Sequence, residues 1–417
     1  MELIRMKRVR QVFDDKKIAD IPEAVAAELA RIKLPELIKP GAQIAITVGS
    51  RGIANLPLII KLIIEEVKKN KGRPFIVTAM GSHGGATAEG QRHVLAEYGF
   101  TEESMGVPIK SSLEVEELGR LANGLPVFFD KIALSSDGII AVNRIKVHTA
   151  FKSDVESGLY KMLSVGLGNH KGASLVHSLG AVGLKDYMVE FAEVVLQKAP
   201  VLCGLGILEN AYDETCRLLA GRPGDLKKVD AELLKECKRI LPALPVQDID
   251  ILFVHEIGKN ISGTGMDTNI VGGIKEYKPG EYTPPNIKRI IVQDLTAETG
   301  GNALGIGGAD LITRKVFGKI DLKLTYTNTI TATFLDRARI PMIAETEKEA
   351  FDIARRTIWN LPGAPARIVI IRNTLKLDEL YVSEPIWEEI KGRPDIEGAG
   401  EWQILQFDQN GEMELRV

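Results

Sequence analysis

Short runs rich in valine and isoleucine alternate along most of this sequence with longer segments of helical periodicity. A strand that is buried on both faces gives such an apolar run, and a following helix returns the chain to the start of the next parallel strand. The alternation therefore predicts an α/β fold with mostly parallel sheets. The expected strands are 43–48, 74–79, 125–129, 138–142, 201–208, 249–254, 288–294 and 367–371. The expected helices are 56–69, 87–98, 185–197 and 347–360, and the capping-box spacing of Thr346 and Glu349 supports the start of the last one.

The length of 417 residues suggests more than one domain, since a domain has roughly 150 residues. A charged segment at 222–246, with Pro242 and Pro245 close together near its end, predicts a boundary between two α/β domains, 1–246 and 247–390. The remaining residues, 391–417, contain Asn410-Gly411 between two apolar runs, which predicts a terminal hairpin.

Composition excludes several classes of function. Lys plus Arg (53) nearly balances Asp plus Glu (56), and no long basic run is present, so a nucleic-acid partner is not expected. The sequence lacks the long apolar stretch of a membrane span and the apolar region of a signal peptide. Three cysteines without CxxC spacing predict reduced thiols, and together these features predict a cytoplasmic protein.

Two predicted strands end in glycine-rich loops that carry candidate binding groups. The first strand is followed by Ser50 and Arg51, and the second by His83 within Gly-Ser-His-Gly-Gly-Ala-Thr, where Thr87 is the expected helix N-cap. Loops at the carboxyl ends of parallel strands meet at one edge of the sheet, where ligands bind. Arg51 is suited to a carboxylate or a phosphate, although a solvated turn residue is an equal alternative, and His83 is suited to proton transfer.

The densest group of potentially reactive side chains lies further along, between residues 148 and 177. Its members are His148, Lys161, His170, Lys171 and His177, which include three of the six histidines. The sequence has no HExxH, no GxSxG elbow, no GxxxxGK[ST] and no GxGxxG that opens a helix. Nucleotide hydrolysis and nicotinamide-dependent oxidation are therefore not indicated.

In order and character these residues resemble the nickel-dependent lactate racemase family. The resemblance covers most of residues 40–260 and rests on an ordered set: Arg51, the loop around His83, Lys146-Val147-His148, Ser157-Gly158-Leu159-Tyr160-Lys161, His177 sixteen residues beyond Lys161, and Glu256 with Lys259 after the strand 249–254.

The resemblance implies a racemase or epimerase that inverts C2 of a 2-hydroxy carboxylic acid by hydride transfer to a nickel-pincer nucleotide. This cofactor is a pyridinium mononucleotide whose thioamide and thiocarboxylate groups hold nickel. The implied roles are a covalent tether at Lys161, nickel binding by His177, acid/base chemistry by His83 and His148, cofactor contacts from Ser50 and Arg51, and substrate binding by Arg51, Glu256 and Lys259.

The same resemblance implies an active site in the cleft between the two domains and a C-terminal tail that returns to the N-terminal domain. The implied partners are a small 2-hydroxy acid and the proteins that synthesise and load the cofactor, with a homo-oligomer left open and no nucleic acid or membrane involved.

This set of residues is chemically coherent. The C2 hydrogen lies next to an ionised carboxylate, so its removal as a proton is very unfavourable, and side chains cannot accept it as hydride. A cofactor must therefore carry that step. The protein can supply a base near neutral pKa for the hydroxyl proton, and inversion needs one such base for each substrate orientation. One imidazole completes a square around Ni(II) that a pincer with S, C and S donors begins.

The sequence also departs from the family pattern. Val48 replaces an acidic residue in an Asp-x-Thr-Arg turn, Glu256 replaces a glutamine before Lys259, and the stretch before Lys161 lacks a double glycine and a basic residue. Lactate and a longer, hydroxylated acid therefore both remain as substrates, because Glu256 could accept a hydroxyl hydrogen bond or could simply hold Lys259.

Two other hypotheses remain. One is a non-catalytic protein that binds an anion or the cofactor, and the other is a lyase or hydrolase with one divalent metal on His83, His148 and His177. The metal hypothesis needs a carboxylate from Asp154 or Glu156, which we expect to be solvated loop charges. We expect His93 and His255 to be structural and leave His170 open between a supporting role and a solvated loop.

Overall fold

The computed structural model describes residues 3–272, 285–361 and 363–417. The chain divides into two compact units. We call Asp14–Leu241 the central unit, and Met1–Phe13 together with Pro242–Val417 the terminal unit. Within the described residues, no helix combines the length and the apolar character needed to cross a membrane.

The chain begins with one strand of the terminal unit, continues through the central unit and then returns to the terminal unit. The first strand is β1, Arg5–Gln11. The strands of the central unit are β2 (Gln43–Val48), β3 (Arg73–Thr78), β4 (Ile109–Lys110), β5 (Val115–Arg120), β6 (Pro126–Asp130), β7 (Gly138–Arg144), β8 (Val201–Glu209) and β9 (Thr215–Gly221). The remaining strands of the terminal unit are β10 (Asp248–Val254), β11 (Asn286–Val292), β12 (Leu311–Thr313), β13 (Met342–Ala344), β14 (Ile368–Ile371), β15 (Glu379–Ser383) and β16 (Ile396–Ile404).

The helices fall between these strands. Those of the central unit are α1 (Ile21–Arg31), α2 (Leu34–Leu37), α3 (Leu56–Lys69), α4 (Ala88–Glu97), α5 (Glu102–Met105), α6 (Lys131–Leu134), α7 (Leu159–Lys161), α8 (Asn169–Ser178), α9 (Gly180–Val182), α10 (Met188–Lys198) and α11 (Leu226–Ile240). Two π-helical segments, Met162–Gly166 and Gly183–Tyr187, connect α7 towards α8 and α9 to α10. The terminal unit contains α12 (Thr268–Val271), α13 (Arg314–Gly318), α14 (Leu322–Ala332), α15 (Glu347–Thr357) and α16 (Glu384–Ile390).

The central unit contains a six-stranded sheet in the order β4-β3-β2-β7-β8-β9. All neighbours are parallel except β8 and β9. The inner strand β2 is almost wholly buried, and its isoleucines pack in one core with the apolar face of α3. The chain leaves β2 towards β3 on one side and leaves β7 towards β8 on the other, so a topological switch point lies between β2 and β7. Ligands bind at such points in open α/β sheets.

The terminal unit contains an eight-stranded sheet in the order β13-β12-β11-β10-β14-β15-β1-β16. The strands from β13 to β14 are parallel, and the last three pairings are antiparallel. A second switch point lies between β10 and β14. The expected fold class, α/β with mostly parallel sheets, is therefore confirmed.

The predicted domain limits of 1–246, 247–390 and 391–417 differ from this division at both chain ends. Strand β1 pairs with β15 and β16 and so belongs to the terminal unit, whereas we assigned it to the N-terminal domain. The tail also joins the terminal unit, because β16 lies at the edge of its sheet beside β1. A pairing between chain ends has no local signature, since its hydrogen-bonding partners are hundreds of residues apart.

The local predictions in the tail and at two helix starts agree better. Gly411 adopts a positive φ of 75°, and its N–H donates to Asp408 O at 3.0 Å, so the expected tight turn is present within the tail. Thr87 accepts from Gly90 N–H as the N-cap of α4, and Thr346 accepts from Glu349 N–H as the N-cap of α15. The predicted strand 125–129 corresponds to β6, but β6 pairs only with β5 in a separate two-stranded ladder.

Candidate active site in the central unit

Lys161 and His148 form a direct contact near the switch point of the central unit. Lys161 Nζ lies 3.0 Å from His148 Nε2. On the other side of the ring, His148 Nδ1 accepts the Ala150 N–H at 3.1 Å. In a neutral imidazole with Nδ1 as the acceptor, the ring proton lies on Nε2. His148 therefore donates to the nitrogen of Lys161, which requires the amine to be uncharged.

The environment of Lys161 raises the fraction of that uncharged form. The side chain is half-buried, and loss of hydration lowers the pKa of its amine to about 8, with further contributions from the positive charges of Arg51 and Lys146. An amine with a pKa near 8 has a substantial nucleophilic fraction close to neutral pH. The lowered pKa thus makes the uncharged amine, which this contact with His148 requires, a minor form at pH 7 and the main form above about pH 8.

Arg51 adds positive charge to this region without a balancing carboxylate. Arg51 is exposed, yet the protein around its guanidinium lowers the pKa of this group by partial loss of hydration, while Tyr98 raises the pKa and Arg144 lowers it. Arg144 itself is paired with the buried Glu209. In the described part of the chain, no acidic side chain forms an ion pair with Arg51. An unneutralised guanidinium near Lys161 is suited to bind an anion.

His83 lies in the exposed loop after β3, and its ring contacts the loop after β2. Its Nδ1 forms a hydrogen bond with Ser50 Oγ. Two hydrogen bonds hold the start of this loop at Gly81. The buried Gln91 donates its Nε2–H to Gly81 O at 3.0 Å, and Gly81 N–H donates to Gly166 O at 3.1 Å. Ser50, expected to contact the cofactor, is thus placed against one of the two expected bases.

His177 is half-buried in the last turn of α8. Ala173, four residues earlier and therefore on the same helix face, packs so closely on Gly81 that a Cβ there would lie 3.1 Å from the alanine Cβ. Gly81, in the loop that carries His83, therefore contacts α8 one helical turn before His177. The expected association of Lys161 and His177 with one cofactor stays a prediction.

The expectation that Glu156 is a solvated charge was wrong. Its side chain is fully buried and accepts the His148 N–H at 2.8 Å and the Ser153 N–H at 3.1 Å. Lys238 neutralises it, with 2.8 Å between Nζ and Oε1. Asp154, by contrast, is exposed as expected. Glu156 therefore serves as an anchor for the loop that carries His148.

The two candidate residues in the terminal unit are held within that unit. Glu256 Oε1 accepts from Asn373 Nδ2 at 2.9 Å and from Arg372 Nε at 3.3 Å, across the β10–β14 switch point. Lys259 Nζ donates to Gly263 O at 2.7 Å and to Asn328 Oδ1 at 3.0 Å. These contacts give Glu256 and Lys259 different partners within the terminal unit.

The other three histidines are spread over the surface and the terminal unit. His93 is exposed on α4 and lies 3.3 Å from Glu97, and His170 is exposed beside Ser174. His255 is largely buried between Gln293, 2.5 Å away, and the Val417 N–H, 3.2 Å away. Burial lowers the pKa of His255 to about 4. These positions agree with structural roles for His93 and His255 and with a solvated His170.

Among the described residues, no group of three or more His, Cys, Asp or Glu side chains is arranged to hold a metal ion. The hypothesis of one divalent metal on His83, His148 and His177 therefore gains no support from the arrangement of ligands. A single histidine ligand, as the resemblance implies for His177, would not form such a group.

Sequence analysis missed one more buried polar group, Asp230 of α11. Its two carboxylate oxygens accept the N–H groups of Leu159 and Tyr160, each at 2.9 Å. The signal was present, because Asp230 interrupts the apolar face formed by Val229, Leu233 and their neighbours. A lone aspartate on an otherwise apolar helix face indicates a specific buried partner.

Two comparisons find known proteins that this chain resembles. Residues 1–179 match the family model described as the lactate racemase N-terminal domain. The fold matches the lactate racemase apoprotein from Thermoanaerobacterium thermosaccharolyticum with a TM-score of 0.54 and 15% sequence identity, over 90% of this chain and 99% of that chain. No curated protein sequence gives a significant match. Residues 1–179 thus resemble the lactate racemase N-terminal domain, and the chain has the fold of that lactate racemase apoprotein.

Proposed function

We propose that this protein is an isomerase, a racemase or epimerase that inverts C2 of a 2-hydroxy carboxylic acid with a lysine-tethered nickel-pincer nucleotide. The observation that carries the proposal is the contact between Lys161 and His148 beside the unneutralised Arg51. A reactive amine, an imidazole and an anion-binding guanidinium are thus gathered at a topological switch point, and a matching family domain contains them all.

The residues present fit the proposed cofactor. An amide-type bond to a lysine needs an uncharged amine, and burial and nearby cations favour that form of Lys161. The phosphate of a mononucleotide needs cationic partners, and Arg51 lies in this region. His177, half-buried on α8, would supply the single imidazole to nickel. When bound, such a cofactor supplies an acceptor for the C2 hydrogen as hydride, which no side chain offers.

The remaining steps fall to the chain's own side chains. Arg51 would bind the substrate carboxylate through charge-assisted hydrogen bonds. His148 would exchange the hydroxyl proton at Nε2, the ring nitrogen that is not occupied by the Ala150 N–H. His83, oriented by Ser50 at Nδ1, would exchange the proton in the opposite substrate orientation. The proposal also assigns Glu256 and Lys259 to the substrate.

The substrate remains one of two classes, lactate or a longer hydroxylated acid. Glu256 bears on this choice, because its Oε1 is held by Asn373 and Arg372 while a carboxylate has a second oxygen that can accept a hydroxyl hydrogen bond. A panel of 2-hydroxy acids with zero to four further hydroxyl groups distinguishes the two classes.

The function is tested on protein produced together with the enzymes that synthesise the cofactor. We expect an intact mass above that of the polypeptide, the added mass on Lys161, about one nickel per chain, and inversion of at least one 2-hydroxy acid in chiral chromatography. Lys161→Ala should lose all four, while the exposed Lys171→Ala, as the matched control, should lose none. An adduct without inversion of any acid would favour the non-catalytic binder, and an unmodified Lys161 would contradict the proposal.

A further inference from the structure

The helical segment that carries Lys161 begins on a buried carboxylate. The first N–H groups of a helix lack partners within the helix. Here the N–H groups of Leu159 and Tyr160 are both satisfied by Asp230, one by each carboxylate oxygen, at 2.9 Å. Burial raises the pKa of the Asp230 carboxyl to about 7, and its ionised form, which prevails above that pH, also interacts favourably with the helix dipole. Lys161 is the next residue, so its backbone position depends directly on Asp230.

Gly158, the residue before α7, lies in close contact with the Asp230 carboxylate. Gly158 has a φ of 154°, and a Cβ at this position would lie 2.4 Å from Asp230 Oδ1. Its carbonyl oxygen accepts from Asn143 Nδ2 of β7 at 2.8 Å. The start of α7 is thereby fixed between a sheet strand and α11, with the carboxylate in contact with the backbone.

The loop that carries His148 is held by the same helix, α11, through a second buried group. Glu156 accepts the backbone N–H of His148, and Lys238 of α11 pairs with Glu156 at 2.8 Å. Lys238 Nζ also donates to Ser153 O at 3.0 Å. Asp230 and Lys238 lie about two turns apart on α11, so one rigid helix supports both partners of the pair.

We propose that α11 positions Lys161 against His148, with Asp230 acting through the Leu159 and Tyr160 N–H groups and Lys238 acting through Glu156. Asp230, Glu156 and Lys238 are therefore positioning residues for the reactive amine. The inference rests on the proposed role of Lys161 but concerns the protein before any cofactor is attached.

The charged and titratable groups around the Lys161 amine give this proposal a measurable consequence. His148 contacts the amine, and the positive charges of Arg51 and Lys146 act on it from the neighbouring loops. If Asp230→Asn displaces the helix start, the amine moves away from His148 and towards water, and its pKa should rise. Above about pH 7, where Asp230 is mainly ionised, loss of its charge without displacement would instead lower the pKa of the Lys161 amine, because a negative charge favours the charged amine. The sign of the shift thus distinguishes positioning from a simple charge effect.

The test uses full-length protein without cofactor and trace acetic anhydride as the probe. The lysine nitrogen bonds to one carbonyl carbon, that carbon's bond to the bridging oxygen breaks, acetate leaves, and the amine proton passes to solvent. Mass spectrometry of peptides gives the acetylation rate of Lys161 from pH 6 to 10 relative to the exposed Lys227 and Lys228. We expect Asp230→Asn to reduce the rate of Lys161 at pH 8 at least threefold and to move its pH midpoint upwards.

Matched controls lie directly before the same helix, at its N-cap, and along it. Asp225→Asn makes the same chemical change at an exposed position, and it should leave the Lys161 profile unchanged. Lys238→Gln tests the second support and should also reduce Lys161 acetylation, whereas Lys235→Gln, at an exposed position, should not. Because Lys238 lies near the surface, its variant keeps the proposal testable if Asp230→Asn does not fold.

An unchanged or lowered pH midpoint in folded Asp230→Asn, or wild-type acetylation of Lys161 in Lys238→Gln, would overturn the inference. A variant that is only less stable keeps the wild-type pH midpoint of Lys161 acetylation in its folded molecules. A purely structural role of Asp230 can therefore be distinguished from a positioning role. The proposed function fails separately, if wild-type protein produced with the cofactor-synthesis enzymes carries no adduct on Lys161.

Discussion

The central and terminal units have the same sheet design, but their switch points are used differently. In the central unit, groups near the switch point contact one another: Lys161 with His148, and Ser50 with His83. In the terminal unit, Glu256 bridges the switch point to Arg372 and Asn373, so the neighbouring loops are tied by an ion pair and an amide. The same topology thus accommodates two arrangements of side chains: direct contacts between candidate site residues in the central unit, and an ion pair with an amide contact in the terminal unit.

The buried ionisable groups also have different kinds of partner in the two units. In the central unit, Asp230 and Glu156 are buried beneath reactive side chains and hold their backbone. In the terminal unit, the buried His255 binds Gln293 and the N–H of Val417, and so connects the end of β10 to the tail. We therefore expect changes in the central unit to affect turnover and changes around His255 to affect stability.

Replacement of either candidate acid/base histidine of the central unit is expected to have the largest effect on turnover. In the loaded enzyme, His148→Ala and His83→Ala should each reduce inversion by about 10²–10⁴-fold, the usual contribution of a positioned acid or base. Chiral chromatography of each enantiomer measures the loss. The exposed His170→Ala serves as the control and should retain wild-type turnover, and near-normal inversion by both variants would defeat the two-base mechanism.

The second expected effect concerns the structural histidine of the terminal unit. The pKa of His255 is about 4 in the native state, against an ordinary value of 6.5, so the unfolded state binds its proton first as the pH falls. The stability that neutral His255 contributes is present above pH 6.5 and is lost as the pH falls towards 4, by up to about 3 kcal/mol. In urea unfolding, His255→Gln should therefore show a flatter decrease between pH 7 and 4 than wild type.

The exposed His93→Gln provides the matched control and should follow the wild-type curve. If His255→Gln retained the full wild-type slope, burial of His255 would not be the source of the pH dependence, and the contrast between the two units would weaken.

A third prediction concerns the anion site of the central unit. Arg51→Ala should reduce kcat/KM, because a charged hydrogen-bonded partner of the substrate is lost. The reduction should correspond to a loss of about 1.5–3 kcal/mol of transition-state stabilisation. Arg51→Lys should recover only part of this loss, since an ammonium cannot make the bidentate contact. Steady-state kinetics with the best substrate provide the measurement, and unchanged kinetics in Arg51→Ala would rule out the role.

The smallest expected effect is at Glu256. Glu256→Gln keeps an oxygen that can accept from Asn373, so the free energy of unfolding should change by about 0.5 kcal/mol or less. If Glu256 also accepts a substrate hydroxyl, the ratio of kcat/KM for polyhydroxylated acids to that for lactate should fall severalfold. An unchanged ratio would limit Glu256 to its contacts with Arg372 and Asn373.

Much of the α/β core could be predicted because its signals are local. The strand 43–48 and the helix 56–69 agree with β2 and α3 at both ends, since a continuous apolar run and a 3.6-residue period are properties of short segments. The glycine-rich loop around His83 and the N-caps at Thr87 and Thr346 are similarly local. The candidate residues Arg51, His83, His148 and Lys161 were found through the chemistry of their side chains and an ordered resemblance.

Tertiary structure alone decided how these residues are supported. It paired β1 with β16, placed Glu156 under His148, and set Asp230 at the start of the Lys161 helix. Each of these contacts joins segments that are distant in sequence or embeds a charge that composition assigns to the surface. The sequence determines which side chains can react, because reactivity is a property of the residue. The protonation state and geometry depend on burial and on partners from other elements, which exist only once the chain is folded.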